Sequence, residues 1–567
     1  MEMAEMNFDQ SYLRSSLITR APYTTLSKLL QKWATIKPKH EACVFYTFGK
    51  PITSITYEKL YQDAVMLAKG LLKLGIHKGD IIGIGGNNTI EWLVSTFGAQ
   101  LAGARPVHFN FHDKSGESLK RIISQVGGCK MLIFDPGDND VHWEICQKFL
   151  QVDSKTGVVV DSDTPSVKWV ALQTPLESSK VCFTIEDVFS KENIKLPEVD
   201  PDDTGVIILT SGSTGFPKAV EYSHYRLIET AYNFLHVVGW DVKEDEQFSF
   251  YDDRPFYWIG GYPFYALVIG GKRITLANTL AFPTIAETMK YTSSIIEKAK
   301  PKIALILVPF LLELLMSKDY SWKIRTVITG GQPVPASCLE AIGKRYDTLS
   351  VLYGSTEAAF IGGRMYSSPN DKYIGLSPFP GVELKIVGKD GMMVPIGTKG
   401  ELLSRTCLPF PGYINEAEKT AAVITPSGWY KTDDFGHINS AGCLEIFGRV
   451  SDVMEISGAK VLPSYLEEII KRNSNVKEVV VFSIKDEIHC DDIPCAAVVK
   501  KDGVTLTEES LKDFIKQEFN LSEEARFMEH IYVPKYIVFQ EKLPKTATGK
   551  SDRKMTKNVS LPFIKQA

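Results

Sequence analysis

The chain has 567 residues, 44% hydrophobic and 23% charged, with a formal net charge of −4. At about 150 residues per domain this length exceeds one hydrophobic core and calls for three or four units. The composition excludes a disordered or fibrous chain, and 64 basic against 68 acidic residues leave no field to attract nucleic acid.

The first ten residues, MEMAEMNFDQ, carry Glu2, Glu5 and Asp9 and have no apolar core, unlike a signal peptide or an Arg-rich transit peptide. Residues 57–75 place Leu60, Ala64, Leu67, Leu71 and Leu74 at helical spacing ahead of Gly75, which predicts an amphipathic helix with a glycine stop. Ile81-Ile82-Gly83-Ile84 reads as a strand, Ile90 to Ala102 as a second helix, SLKRIISQVG as a third, and KMLIFD as another strand. Such alternation predicts a parallel α/β architecture. Residues 150–203 are polar and broken by Pro165, Pro175 and Pro197, which predicts irregular β structure and a connection. The longest apolar run, Ile303 to Met316, contains Pro309 and Glu313 and falls short of the ~20 residues that span a bilayer. From about 375 to 447, runs such as VELKIVG and GELLS between Gly and Pro turns predict a small β subdomain. Past Gly448-Arg449, LEEIIKRN and LTEESLKDFIKQEF read as helices, and VKEVVVFSI and IPCAAVV as strands. These compose a small α+β domain over 449–567, after a large α/β domain over 1–448.

Nine cysteines are scattered singly, and the closest pair, Cys490 and Cys495, has no second pair at zinc-finger spacing. Free thiols in a reducing compartment are expected, and the last residues, Lys565-Gln566-Ala567, are not the peroxisomal tripeptide. The expectation is a cytoplasmic protein without a transmembrane segment; the oligomeric state has no signature.

The stretch LTSGSTGFPK, Leu209 to Lys218, follows the apolar run from Val206. A Walker A loop needs lysine directly after its second glycine and a helix starting there, whereas Lys218 stands three residues past Gly215 and behind Pro217. Pro217 restrains Phe216 toward extended backbone, so a helix start is disfavoured and a flexible flap between strands, or between strand and loop, is expected. Its small residues still suit phosphate: backbone N–H groups form an anion nest, Thr210, Ser211, Ser213 and Thr214 add hydroxyls, and Lys218 adds charge. A plain surface turn fits the same composition.

Five further motifs follow in order: Gly330 to Pro333 (GGQP), Tyr353 to Ala359 (YGSTEAA), Gly428 to Asp434 (GWYKTDD), Gly448 to Glu468, and Pro544 to Lys554 (PKTATGKSDRK). Together with LTSGSTGFPK they resemble the adenylate-forming superfamily of acyl-CoA synthetases, beetle luciferases and peptide-synthetase adenylation domains, over nearly the whole chain. The resemblance implies ATP, Mg²⁺ and CoA as partners of a carboxylic acid. In it, Thr210, Ser211, Gly212, Ser213, Thr214, Gly215 and Lys218 hold the β- and γ-phosphates, and Gly331, Gln332 and Pro333 lie against the purine. Tyr353 lies on the adenine face, Gly354 lets backbone approach, Ser355 also binds ATP, and Thr356 and Glu357 hold the α-phosphate and Mg²⁺. Ser355-Thr356-Glu357 is also a good helix N-cap. Asp434 and Arg449 are implied at the ribose, and a surface ion pair reads the same way. Lys550 is implied as the catalytic lysine bridging carboxylate and α-phosphate, Gly458 as the loop passed by the CoA thiol, and Ser451 as the hinge about which the C-terminal domain rotates between half-reactions.

Three positions depart from the superfamily's pattern. Asp433 replaces a usual glycine and must take that glycine's backbone, which aspartate tolerates better than most residues. Ser451 replaces a usual Asp or Lys, and Trp258 stands where a histidine often gates the thiol tunnel, either closing it or packing in the core. Phe250, Tyr251, Phe256, Tyr257 and Phe264 fit an apolar acid or a packed core equally. The expected reaction is ATP-dependent formation of an acyl-adenylate and transfer to CoA, giving acyl-CoA, AMP and pyrophosphate. The alternatives are a luciferase-like enzyme, a loader of carrier proteins (only 17 residues follow Lys550), and a non-catalytic nucleotide-binding relative.

Overall fold

Buried apolar runs became parallel strands and amphipathic runs became the helices that cover them. The computed structural model describes residues 5–6, 10–16, 21–111, 113–179, 182–210, 217–239, 248–277, 285–316, 321–330, 334–456, 459–486, 491–519, 532–545 and 551–564. Two compact units divide the chain. The first comprises Met1–Met6, Leu13–Leu384 and Ser404–Tyr430, and the second Asn7–Tyr12, Lys385–Leu403 and Lys431–Ala567.

The first unit contains two large sheets. In one, Ile81–Gly85 lies between Arg105–Phe109 and Met131–Phe134, and Trp169–Leu172 pairs with the latter, all in parallel. On the other flank Thr204–Leu209 runs parallel to Arg105–Phe109, and the antiparallel strand Ala219–Ser223 closes the sheet. Within 150–203, read as irregular β structure and a connection, Leu150–Val152 and Val159–Ser162 form a short irregular pair, while Trp169–Leu172 is a regular strand of the parallel sheet. Val170, Ala171 and Leu172 are all fully buried; a parallel strand covered on both faces shows no alternation, so its short apolar run is lost among polar and proline-rich neighbours.

The predicted helix forms over Tyr57–Lys73, capped by the Thr56 side chain accepting from the Lys59 N–H, and Gly75 ends it at φ +78°. It buries Leu60, Ala64, Leu67 and Leu71 and packs on Ile90–Leu101. That second helix is buried from Trp92 to Gln100 and so is apolar nearly all round.

Among the described residues the second sheet has nine strands, with a parallel centre in the order Tyr346–Ser355, Ile324–Gly330, Ile303–Leu305, Ser249–Asp252, Lys272–Leu276 and Glu41–Tyr46. Antiparallel strands Ala359–Tyr366 and Thr53–Thr56 flank it. Ile324–Gly330 and Tyr346–Ser355 end side by side, Gly330 opposite Leu352. Carboxyl ends of parallel strands are where open α/β sheets bind ligands.

In the second unit, Val476–Asp486, Asp491–Lys500 and Tyr536–Phe539 form a sheet covered by the helices Pro463–Lys471, Glu508–Glu518 and Arg553–Ile564. Val479 and Val481 face one apolar cluster, and Val480 and Phe482 face another. Burial on both faces explains why VVVF reads as a continuous run. Among the described residues each cysteine is a free thiol and no helix is long and apolar enough to cross a membrane.

Candidate active site

The LTSGSTGFPK stretch joins two antiparallel strands, with Leu209 opposite Ala219. The Thr210 N–H donates to the Lys218 carbonyl at 2.8 Å and the Lys218 N–H to Thr210 Oγ1 at 3.3 Å, closing the base of the loop. A strand, not a helix, follows Lys218, as Pro217 predicted. Ser211, Gly212, Ser213, Thr214 and Gly215 lie outside the described residues, as do Gly331, Gln332, Pro333, Gly458 and Lys550.

Tyr353, Gly354 and Ser355 end the strand Tyr346–Ser355, and Thr356 and Glu357 form the turn that leads to Ala359–Tyr366. The helix N-cap reading of Ser355-Thr356-Glu357 is corrected: the segment is a hairpin turn. Gly354 and Ser355 still pair across to Phe360 and Ala359, and this pairing claims the backbone groups that a helix start would need. The Ser355 hydroxyl instead accepts from the Ala358 N–H at 3.1 Å, and Ala359 takes φ +56°. Gly354 is required by close approach, since a Cβ there would lie 2.0 Å from the Ala359 carbonyl oxygen.

The loop hairpin and the helix behind it hold this turn. Tyr222, on the second hairpin strand, donates its hydroxyl to the Thr356 carbonyl at 2.5 Å, and Arg226 donates to the Glu357 carbonyl. Arg226 also stacks 4.1 Å over the Tyr222 ring. Tyr413 reaches the Glu357 side chain, its hydroxyl donating to Oε1 at 2.7 Å. The Lys218 ammonium lies 3.5 Å from that same hydroxyl and 4.4 Å from the Tyr413 ring centroid. Backbone pairing of Tyr413 with Val220, and of the Ile414 N–H with the Ala219 carbonyl at 3.0 Å, fixes the phenol beside the hairpin. Burial and the adjacent Glu357 carboxylate push the Tyr413 phenol far above its ordinary pKa, so it stays a proton donor. Burial, with the Glu357 charge acting in the same direction, pushes Tyr222 up to about 12 against the opposing pull of Arg226.

Glu357 is 8% exposed. Among the described residues no three His, Cys, Asp or Glu side chains converge to form an all-protein metal cage. A single buried carboxylate suits Mg²⁺ where phosphate oxygens and water complete the coordination, and Glu357 fits that donor set.

Asp434 and Arg449 are cross-strand partners in the second unit, on Tyr430–Ile438 and Leu444–Arg449. Arg449 Nε lies 3.2 Å from Asp434 Oδ1, and Arg449 also donates to the Thr432 carbonyl at 2.8 Å. The Thr432 hydroxyl donates to the Leu402 carbonyl at 2.8 Å while accepting from the Asp434 N–H at 3.0 Å. Asp433 adopts φ +60°, the left-handed conformation expected of a residue replacing glycine. Its carboxylate accepts from the Ser451 hydroxyl at 2.7 Å and from the Ser451 N–H at 3.2 Å. Two of the three departures from the superfamily's pattern are therefore bonded to each other.

Trp258 is partly buried, edge-on to Tyr257 with centroids 6.0 Å apart, in a turn where the Tyr262 N–H donates to the Trp258 carbonyl at 2.7 Å. Phe250, Tyr251, Phe256, Tyr257 and Phe264 are buried, and Phe234 and Tyr265 pack among them against Phe360. In this structure these aromatics form a packed core. The structure thus brings Thr210 and Lys218 together at the loop base, Tyr353 to Glu357 together in the turn, and Asp434 with Arg449. Sequence reasoning missed Tyr222, Arg226 and Tyr413. The signal for Tyr413 was Pro411-Gly412-Tyr413, where Gly412 takes φ +116°; Tyr222 and Arg226 had none, because only the fold carries them to the turn.

Residues 30–414 match the model of the AMP-binding enzyme family, and residues 465–550 match its AMP-binding enzyme C-terminal domain. The mitochondrial medium-chain acyl-CoA ligase ACSF2 of Danio rerio is 26% identical over 552 residues, 93% of this chain and 87% of that protein. Its Homo sapiens counterpart is 25% identical over 564 residues, 95% and 88% respectively. Among solved structures, ATP-bound MatB from Rhodopseudomonas palustris superimposes with a TM-score of 0.75 at 20% identity, covering 95% of this chain and 99% of that one. O-succinylbenzoate coenzyme A synthetase (MenE) from Bacillus subtilis, in complex with ATP and magnesium ion, gives 0.72 at 21%, covering 93% and 99%. With its loop hairpin, its Glu357 turn and matches to both family domains, the chain belongs to the adenylate-forming, AMP-binding enzyme family.

Proposed function

We propose that the protein activates a carboxylic acid with MgATP and passes the acyl group to CoA. The carboxylate oxygen attacks the α-phosphorus as the bond to pyrophosphate breaks; the CoA thiolate then attacks the acyl carbon as the bond to AMP breaks. The observation that carries this reading is the alignment of Lys218, Tyr413 and Glu357 beside the turn held by Tyr222 and Arg226. A cation and a buried carboxylate held beside the base of the LTSGSTGFPK hairpin support this reading.

In this reading Thr210 to Gly215 and Lys218 hold the β- and γ-phosphates, Thr356 meets the α-phosphate and Glu357 takes Mg²⁺. Tyr353 and Gly331 to Pro333 hold the adenine, and Asp434 and Arg449 the ribose. Lys550 bridges the two reacting anions, so positioning and fixed charge supply most of the acceleration. A bridge between Lys545 and Ser551 brackets the segment that carries Lys550. Rotation of 449–567 about Ser451 withdraws Lys550 and brings Gly458 to the thiol path, with Trp258 at the tunnel. The medium-chain acyl-CoA ligases among the relatives support an apolar acid and CoA as acceptor.

The test is pyrophosphate release and thioester formation across acids from acetate through medium- and long-chain to aromatic acids. An apolar acid is expected to yield both products, and Lys550→Ala to lower pyrophosphate release at least about 100-fold while sparing thioester formation from pre-made adenylate. No pyrophosphate above background from any acid defeats the proposal in favour of a non-catalytic relative. Pyrophosphate without a CoA thioester redirects it to a carrier-loading or luciferase-like enzyme.

A further inference from the structure

We infer that Tyr413 is a positioning residue for the metal: its hydroxyl orients the Glu357 carboxylate for Mg²⁺ while its ring seats the Lys218 ammonium. This rests on the reading of Glu357 as the magnesium ligand. The argument is geometric. A carboxylate beside a phosphate site can rotate, and a cation that keeps several waters and tolerates little angular error needs it held. The Tyr413 hydroxyl engages Oε1 at 2.7 Å, and a carboxylate has a second oxygen with which to take a ligand. The donor is a neutral phenol, so it fixes the carboxylate without neutralising it, as a lysine or arginine in that place would.

The second contact lies on the other side of the same phenol. Lys218 stands 4.4 Å over the ring and 3.5 Å from its oxygen, a seat that orients the ammonium by the ring's quadrupole. A lysine and a glutamate allowed to meet directly would form an ion pair and occupy each other. Tyr413 separates them while holding both, and its own place is fixed by backbone pairing with Val220 on the loop hairpin. The hairpin carrying Lys218 and the turn carrying Glu357 are therefore registered through one side chain from a third segment.

The experiment is calorimetric titration of ATP into the purified full chain at a series of Mg²⁺ concentrations, which reads metal-dependent binding without turnover. Tyr413→Phe keeps the ring and loses the hydroxyl, and is expected to raise the Mg²⁺ midpoint for ATP binding about tenfold, the usual lower cost of losing an outer partner of a metal ligand. In a Glu357→Gln background the same substitution is expected to leave the midpoint where Glu357→Gln alone puts it. A wild-type midpoint in Tyr413→Phe, or an equal shift in both backgrounds, overturns the inference. Lys218→Met provides a second comparison that leaves Tyr413 intact: ATP affinity is expected to fall without a rise in the Mg²⁺ midpoint. A tenfold rise there shows that general charge, not the phenol hydroxyl, organises Glu357, and overturns the inference too. Wild-type protein that binds no MgATP at any Mg²⁺ concentration defeats the proposed function instead, so the two failures are distinct.

Discussion

Glu357 in the first unit and Asp434 in the second are buried alike, at 8% and 9% exposure, but their partners differ in kind. Glu357 takes a hydrogen bond from a buried, neutral phenol, while Asp434 faces the guanidinium of Arg449, whose side chain is 53% exposed. A carboxylate held by a neutral donor keeps its charge for a cation. A carboxylate already paired with a cation suits neutral ligand groups, and ribose hydroxyls are neutral. The surroundings differ as well: the Glu357 turn is pinned by Tyr222, Arg226 and Tyr413, whereas Ser451 and Asp433 meet at an exposed edge. The contacts around Glu357 are buried, whereas the Ser451–Asp433 contact is open to solvent.

Substitutions at the two centres sharpen that contrast. The largest effect is expected from Glu357→Gln, which keeps shape and the Tyr413 bond but removes the charge. Pyrophosphate release should fall by about two to three orders of magnitude, with thermal stability nearly unchanged. A loss under about tenfold, measured at saturating acid and ATP, removes Glu357 from the metal site.

Acid should separate the units next. The buried histidines among the described residues are His108 and His224, both in the first unit. Burial pulls His224 down to about 4, with a nearby Asp203 opposing, and pulls His108 down to about 3. The His224 Nδ1 accepts from the Leu26 N–H at 3.4 Å and must be unprotonated to do so. Between about pH 4 and the unfolded value near 6.5, the unfolded chain binds the proton and the folded chain does not. Stability is thus complete above pH 6.5 and falls as pH drops toward 4, by roughly 3 kcal/mol for His224 alone. Calorimetry from pH 7 to 4 should show the first unit's transition moving down first, and His224→Gln should flatten that slope. An unchanged slope contradicts the assignment.

The smallest effect belongs to the exposed edge. Ser451→Ala removes the 2.7 Å bond to Asp433 and keeps the backbone one. An exposed hydrogen bond contributes about 1 kcal/mol or less, so single-turnover kinetics should show a change of up to about fivefold. That change should fall on thioester formation, with adenylation untouched. Equal changes in both half-reactions, or in neither, show that this contact does not act at the hinge.

Much of the fold was legible because its signals are local. The helix over Tyr57–Lys73 announced itself by spacing and a glycine stop, and Pro217 disfavoured the helix start that is indeed absent after Lys218. Trp169–Leu172 was not distinguished from irregular β structure as a regular sheet strand, because burial on both faces erases alternation in so short a run. The YGSTEAA turn defied its N-cap signal because strand pairing, a non-local interaction, had first claim on its backbone.

The site divides in the same way. By itself the sequence carried the adenylate-forming resemblance, the failed Walker spacing and the replacement of a usual glycine by Asp433. Each follows from residues close in the chain, where sterics and hydrogen-bond chemistry act directly. Only the tertiary structure decided that Tyr413 stands between Lys218 and Glu357, and that Tyr222 and Arg226 grip the turn at Thr356 and Glu357. Those partners lie 56 to 195 residues apart for Tyr413 and more than 130 for the other two. Such contacts exist only once the hairpin, the helix behind it and the strand ends are packed, so no local pattern records them.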